Sequence, residues 1–197
     1  MSTRVIIWEA DGKEMVHIPA GSFLMGSDES RGNEGPAHTV HVNAFYIDRY
    51  PVTHEEYKRF VDATGHPVPC YDVEWAEPYG YNWDPQKRTP PKGKERHPAV
   101  LVSWEDARAY AAWTGKRLPT EAEWERAARG ADGRRWPWGD DFVQGRCNTR
   151  ESGANGTTPV GQYSPQGDSP DGVGDMVGNV WEWTNSLFRP YPYDADD

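Results

Sequence analysis

Apolar and polar positions change rhythm as the chain is followed from its first residue. Up to about residue 50 the apolar residues fall in short runs separated by turn residues: Met15 to Ile18, Gly21 to Met25 beyond a Pro-Ala-Gly turn, and His38 to Ile47 with Val40 and Val42 among them. Such runs predict short strands, together an antiparallel ribbon. From Val52 onward the spacing becomes helical, and three helices share one starting chemistry. Thr53 stands three residues before Glu56, with Val52 ahead of the cap and Tyr57 at the fourth helical position, a capping box with a hydrophobic staple. Ser103 with Asp106 and Thr120 with Glu123 repeat the box. The inner faces are Tyr57, Phe60 and Val61, then Ala107, Tyr110 and Ala111, then Trp124, Ala127 and Ala128, with Gly65, Gly115 and Gly130 as terminators. The small alanine positions are expected to let these helices pack closely.

Between the first two helices runs an aromatic, proline-rich connection from Cys70 to Pro98 with little periodicity. Long loops inside a domain are functional or pinned by something else. Its Trp75, Tyr79, Tyr81 and Trp83 either fill the core or bind a sugar or peptide. Residues from Arg134 to Asp175 read as loop, and a strand pattern resumes at Gly178. Residues 1–184 are read as one domain and 185–197 as an exposed tail or linker.

Composition sharpens this picture. Ten Trp, ten Tyr and five Phe make 13% of the chain aromatic, yet only 36% is hydrophobic. The core is therefore expected to be built from large amphipathic rings whose polar atoms need partners. Twenty Gly and 17 Pro place much of the backbone in turns. The formal charge of -10 argues against nonspecific nucleic-acid binding and is compatible with cations. With no long apolar run and no signal-like start, the expectation is a cytoplasmic chain that makes no use of membranes. Cys70 and Cys147 belong to no CxxC pair and are read as free thiols.

The candidate chemistry lies in the stretch DMVGNVWEWT, residues 175–184. If it is extended, Trp181 and Trp183 share one side and enter the core, while Glu182 faces the other way. Glu182 then either meets solvent or joins Asp175 and the Gly178 and Val180 carbonyls around a hard cation such as calcium. Ligand oxygens on one calcium lie within about 5 Å of each other, whereas residues two apart in a flat strand are separated by about 6.8 Å. The segment must curl to bind an ion, and Gly178 permits it. A second loop, CNTRESGANGTTPVG, offers Asn148, Glu151, Ser152 and Asn155, although such residues also build ordinary turns. His38 and His41 stand three apart on an expected strand and point to opposite faces, while His17, His54, His66 and His97 are scattered, so no histidine metal site is expected. No GxSxG elbow and no phosphate loop is present.

The segments IPAGSFLMGS, PVTHEEYKRF, HPAVLVSWEDARAYAAWTGKRLPTEAEWERAARG, RRWPWGD, TTPVGQYSP and DMVGNVWEWT occur in this order between Met15 and Thr184. In this order they resemble the sulfatase-modifying-factor family, the formylglycine-generating-enzyme-like domains. The resemblance implies an α+β fold, a variant of the C-type-lectin fold with twisted antiparallel strands, about three helices and much irregular loop. It also implies two structural calcium sites. One falls on Asn148, the Thr149 carbonyl, Ser152 and the Ala154 carbonyl, with Ser152 where the prototype has Asp. The other falls on Asp175, the Gly178 and Val180 carbonyls and Glu182, with Asp175 in place of Asn.

Enzymes of the family oxidise a cysteine of a target sulfatase to formylglycine, using oxygen and a copper ion held by a cysteine pair. That pair lies beyond a segment resembling RVLRGGSW, and the chain is read as ending before it, so the domain is expected to lack its C-terminal part. Neither Cys70 nor Cys147 matches the pair. Related sulfoxide synthases use iron held by an added N-terminal helical domain, for which the N-terminus is read as leaving no room. The implied partner is a sulfatase or another protein or peptide substrate. The alternative reading is a non-catalytic lectin-fold binding or accessory module that recognises peptide or carbohydrate.

Overall fold

The run Glu14–Ile18, with Val16 and Ile18 fully buried, becomes the middle strand (β2) of a three-stranded antiparallel sheet between β1 (Val5–Ile7) and β5 (Phe45–Asp48). A second sheet pairs β3 (Gly21–Met25) with β4 (His38–Val42) antiparallel, Phe23 opposite Val40. The computed structural model describes residues 5–29 and 34–192, apart from the side chains of Trp75 and Glu77. The expected single strand His38–Ile47 is thus two strands in two sheets. Asn43 and Ala44, both poor strand formers, break it, and Phe45 beyond them packs against the cores of both sheets. The strand Val5–Ile7 was not anticipated, because three apolar residues are too short a run to show a period.

Helices α1 (His54–Thr64), α2 (Trp104–Trp113) and α3 (Glu121–Arg129) begin at Thr53, Ser103 and Thr120, and all three capping boxes are complete. In α1 the box does double duty, since Glu56 Oε2 accepts from the Thr53 N–H and also takes an ion pair from Lys13 Nζ at 2.7 Å. Lys116 Nζ similarly bridges Asp11 and Asp48, each at 2.7 Å, so the three-stranded sheet is fastened to both helices by largely buried charges. Tyr57 stacks on Tyr110 with ring centroids 5.8 Å apart, and Phe60 meets Tyr110 edge-on, which is how α1 packs on α2. The alanines of α3 serve a different purpose from the one expected. Ala127 and Ala128 lie against Val16, Ile18, Val173 and Met176, and Ala122 lies against the Phe23–Met25–Val42 cluster, so they bring α3 close to strands and not to another helix.

The aromatic connection fills the core where Tyr81 and Trp83 are buried, while Tyr79 is exposed; the side chain of Trp75 lies outside the described residues. The segment from Asn185 is mostly exposed yet fastened: the Asn185 N–H donates to the Pro119 carbonyl, and Tyr191 Oη donates to Glu121 Oε1 at 3.0 Å. Residues 193–197 of the expected tail lie outside the described residues. Among the described residues no helix is long and apolar enough to cross a membrane.

His54 illustrates how the aromatic loop is locked. It is fully buried, and the Trp83 Nε1–H donates to its Nδ1 at 2.9 Å, so the neutral ring carries its proton on Nε2. Burial pushes the His54 ring down to about 4, with the charges of His97 and Lys94 acting in the same direction and Glu95 opposing. The folded ring then stays neutral where the unfolded ring, titrating near 6.5, takes up a proton. Stability is complete above pH 6.5 and is lost as pH falls from there toward 4, by up to about 3 kcal/mol. In urea melts at pH 7 and pH 4.5, the acid loss should be about 2–3 kcal/mol smaller for His54→Gln than for the parent chain. Equal losses in the two proteins would contradict this assignment.

Candidate functional site: two oxygen-bearing loops on one cleft

No strand forms between Gly178 and Thr184. Gly178 and Asn179 take φ of 76° and 63°, and the Val180 N–H donates to the Gly178 carbonyl at 2.8 Å, so the segment curls as ion binding would demand. Asparagine is among the few residues that enter this left-handed region readily. The curl overturns the alternation expected for the two indoles. Trp181 is wholly exposed and Trp183 about half exposed, its Nε1–H donating to the Val102 carbonyl at 3.0 Å. Neither anchors the core.

What the curl does instead is join the two oxygen-rich loops. Asn148 and Gly178 form an isolated parallel bridge, and the Asn179 N–H donates to the Asn148 carbonyl at 2.8 Å. A Cβ on Gly178 would collide with that same carbonyl oxygen. The Asn179 amide completes the join: its Oδ1 accepts from the Thr158 N–H at 2.9 Å and from Asn148 Nδ2 at 3.2 Å, and its Nδ2 donates to the Thr158 carbonyl at 3.1 Å. Sequence reading missed Asn179, although its place directly after a glycine was the available signal for a paired left-handed turn.

In the first loop, the Ser152 hydroxyl lies 3.1 Å from Asn148 Oδ1 and 2.7 Å from the Thr149 carbonyl. One hydroxyl proton faces two acceptors, so three oxygens converge with less than one proton per contact, a donor set that suits a hard cation. The Ala154 N–H points at Ser152 Oγ. Glu151 and Asn155 are exposed.

In the second loop, Asp175 Oδ2 accepts from the Gly161 N–H at 2.6 Å and Glu182 Oε2 accepts from Trp124 Nε1–H at 3.1 Å. Glu182 lines the cleft and is exposed to solvent, yet the protein gathered around its carboxyl desolvates it and raises it; the Trp124 hydrogen bond opposes the rise and the Asp175 charge adds to it. Asp175 is also raised, chiefly by burial, with the Gly161 N–H opposing and Asp168 adding. A carboxylate whose charge is disfavoured by neighbouring carboxylates, Glu182 by Asp175 and Asp175 by Asp168, leaves a place that a divalent cation suits. Asn148, Thr149, Asp175, Gly178, Val180 and Glu182 all line one outer cleft of about 1200 Å³, whose other walls include Trp104, Trp124, Trp181 and Trp183. An inner cleft of about 470 Å³ continues from it past Val180–Trp183 toward β5 and α2.

The cysteines do not suit copper. Cys70 is exposed in the aromatic loop, whereas Cys147 is buried and its thiol is raised by that burial, away from the thiolate form a soft metal needs. Among the described residues no group of three or more His, Cys, Asp or Glu side chains gathers as a metal site.

A family model described as the sulfatase-modifying factor enzyme 1-like domain matches residues 8–196. The chain belongs to that family. Within the sulfatase-modifying factors it is 39% identical over 223 residues to a formylglycine-generating enzyme of Streptomyces coelicolor, covering 90% of this chain and 70% of that protein. It is 37% identical over 227 residues to the inactive C-alpha-formylglycine-generating enzyme 2 of Mus musculus, covering 95% and 73%. The solved structure of PvdO from Pseudomonas aeruginosa superposes with a TM-score of 0.76 at 33% identity, covering 96% of this chain and 76% of that one. The α+β architecture, with three helices on small antiparallel sheets, is thus the fold of these factors. Because a relative named as inactive stands beside one named as an enzyme, membership of the sulfatase-modifying factors alone assigns no reaction.

Proposed function

We propose that the chain is the peptide-docking body of a formylglycine-generating-type protein, its cleft held in shape by calcium. Asn148, Thr149, Ser152 and Ala154 hold one ion, and Asp175, Gly178, Val180 and Glu182 hold the other. Calcium supplies charge balance for the carboxylates and ties the two loops together. The observation that carries the reading is the outer cleft, where Asn148, Thr149, Asp175, Gly178, Val180 and Glu182 share a wall with Trp104, Trp124, Trp181 and Trp183 and with the exposed Leu187 and Phe188. Flat aromatic surfaces that lose little side-chain entropy on binding suit a cysteine-containing segment of a sulfatase or another protein. Oxidation of that cysteine to formylglycine, with oxygen, copper and a thiol reductant that supplies the remaining two electrons as sulfur leaves as hydrogen sulfide, takes copper ligands other than Cys70 and Cys147. The separate settings of those two thiols favour a second reading, a non-catalytic binding or accessory module.

Titration of a fluorescent cysteine-containing sulfatase peptide into the calcium-loaded chain tests the docking. Saturable binding that weakens about tenfold or more in Trp183→Ala is expected, as for a central aromatic contact. Absence of binding would overturn the reading. Incubation of the same peptide with the chain, copper, oxygen and a thiol reductant, read by mass at the cysteine, separates the two forms of it: conversion would make the chain itself an oxidase, and an unchanged mass favours the accessory role.

A further inference from the structure

A side-chain carbonyl is attacked by the next backbone nitrogen most readily where that nitrogen belongs to glycine, which has no Cβ to crowd the approach. The chain has one Asn-Gly pair, Asn155-Gly156, and three Asp-Gly pairs, which begin at Asp11, Asp132 and Asp171. The fold holds the three aspartates away from this reaction. Asp11 is buried, its carboxylate accepts from the Lys13 N–H and Lys116 Nζ, and the Gly12 N–H donates to the Trp8 carbonyl at 2.8 Å. Asp171 takes Arg126 Nη1 at 2.8 Å, and the Gly172 N–H donates to the Ser169 carbonyl at 2.9 Å. Hydrogen bonds from Arg134 hold Asp132 below the usual carboxylate range, and an ionised carboxylate is a poor electrophile. Asn155 differs on each count. Its side chain is exposed, and among the described residues neither its amide nor the Gly156 N–H has a hydrogen-bond partner. Such groups can turn toward each other with no bond to break first.

The fold demands the glycine of this pair. At Gly156 φ is 99°, and an added Cβ would stand 2.9 Å from the Tyr81 hydroxyl oxygen and 3.2 Å from the Tyr79 ring. The residues from Gly156 onward are anchored: the Gly156 carbonyl accepts from Asn148 Nδ2 at 2.9 Å, the Thr157 N–H donates to Tyr81 Oη at 3.1 Å, and the Thr158 N–H donates to Asn179 Oδ1 at 2.9 Å. On the other side of Asn155 the hold is weaker, with the Ala154 N–H 3.3 Å from Ser152 Oγ. We propose that Asn155 is a site of spontaneous backbone modification that ages the first oxygen-bearing loop. The Gly156 nitrogen loses its proton and bonds to the side-chain carbonyl carbon of Asn155, while the bond from that carbon to NH2 breaks and ammonia leaves. Water then opens the five-membered imide at either carbonyl and leaves aspartate or isoaspartate, so no oxidant or cofactor takes part. Opening at the backbone carbonyl, the more electrophilic of the two, gives isoaspartate, which puts one extra carbon into the main chain. With residues 156–158 anchored, the added length displaces Ala154. The modification stands apart from the proposed function; its effect on the ion held through Ala154 rests on that reading.

The test uses the full chain and Asn155→Gln, whose side chain is one carbon too long to close the five-membered ring. Both are held folded at mildly alkaline pH and body temperature, then digested and mapped by mass. Residue 155 of the parent should exchange NH2 for OH, with isoaspartate, detected by enzymatic methylation, as the major product. Asp11, Asp132 and Asp171 should form isoaspartate at least about tenfold more slowly, since each must first open a hydrogen bond or an ion pair. No exchange at residue 155 over a period in which a free peptide of residues 150–160 converts, or equal isoaspartate at the Asp-Gly pairs, overturns the proposal. Native mass spectrometry then compares calcium uptake. The aged parent should lose one of two calcium increments, whereas aged Asn155→Gln should keep both. An aged parent that keeps both overturns the effect on the loop. A fresh chain that takes up no calcium counts against the proposed function instead, and the mass map alone then decides the modification.

Discussion

Gly178→Ala should lower the melting temperature by roughly 6–12 °C, corresponding to about 3 kcal/mol for a chain of this size. Two costs combine at this position. The backbone sits at φ of 76°, where a side chain is strained, and the new Cβ runs into the Asn148 carbonyl, a rigid backbone atom that cannot rotate away. Relief of the collision requires the parallel bridge between Asn148 and Gly178 to open, and with it the Asn179 bond to Asn148. Gly65→Ala is the matched control: φ is 74° there too, but nothing lies within 4 Å of the added carbon. It should cost about 1 kcal/mol, the strain alone. Equal melting temperatures for the two variants would mean that the bridge between the loops contributes little.

Chelation should produce the second large effect. A ligand held only by the folded state adds RT ln(1 + [L]/Kd), about 2.7 kcal/mol when calcium stands at 100 times its dissociation constant. Removal of calcium is then expected to lower the melting temperature by roughly 5–10 °C. Glu182→Ala should erase the part of that difference due to the ion at Asp175 and Glu182, leaving the part due to the ion at Asn148 and Ser152. A variant that melts with the same calcium dependence as the parent would show that the ion is held elsewhere.

The helix starts could be read from the sequence because a capping box is a local device: Thr53, Ser103 and Thr120 each find their partner three residues away. The inner faces of α1 and α3 were legible for the same reason, although what they pack against was not. Ala127 and Ala128 meet Val16 and Ile18 from far along the chain, and no spacing in the sequence encodes that pairing. The error over Trp181 and Trp183 has a narrower cause. Alternation does not survive Asn179, whose left-handed backbone breaks the period of two. Asn148 and Ser152 are legible as oxygen donors in a turn-rich loop and Thr149 only through the resemblance, and the structure brings their oxygens within hydrogen-bond distance. The pairing of β5 with β2 was out of reach, since it depends on a switch of sheets between Val42 and Phe45.

Native mass spectrometry of the metal-stripped chain, titrated with calcium, tests most directly whether the two loops form a built ion framework and not ordinary turns. Two successive increments of one calcium each are expected, with the Asp175→Ala, Glu182→Ala double variant retaining only one. No increment at millimolar calcium, or two increments that survive in the double variant, would contradict that framework.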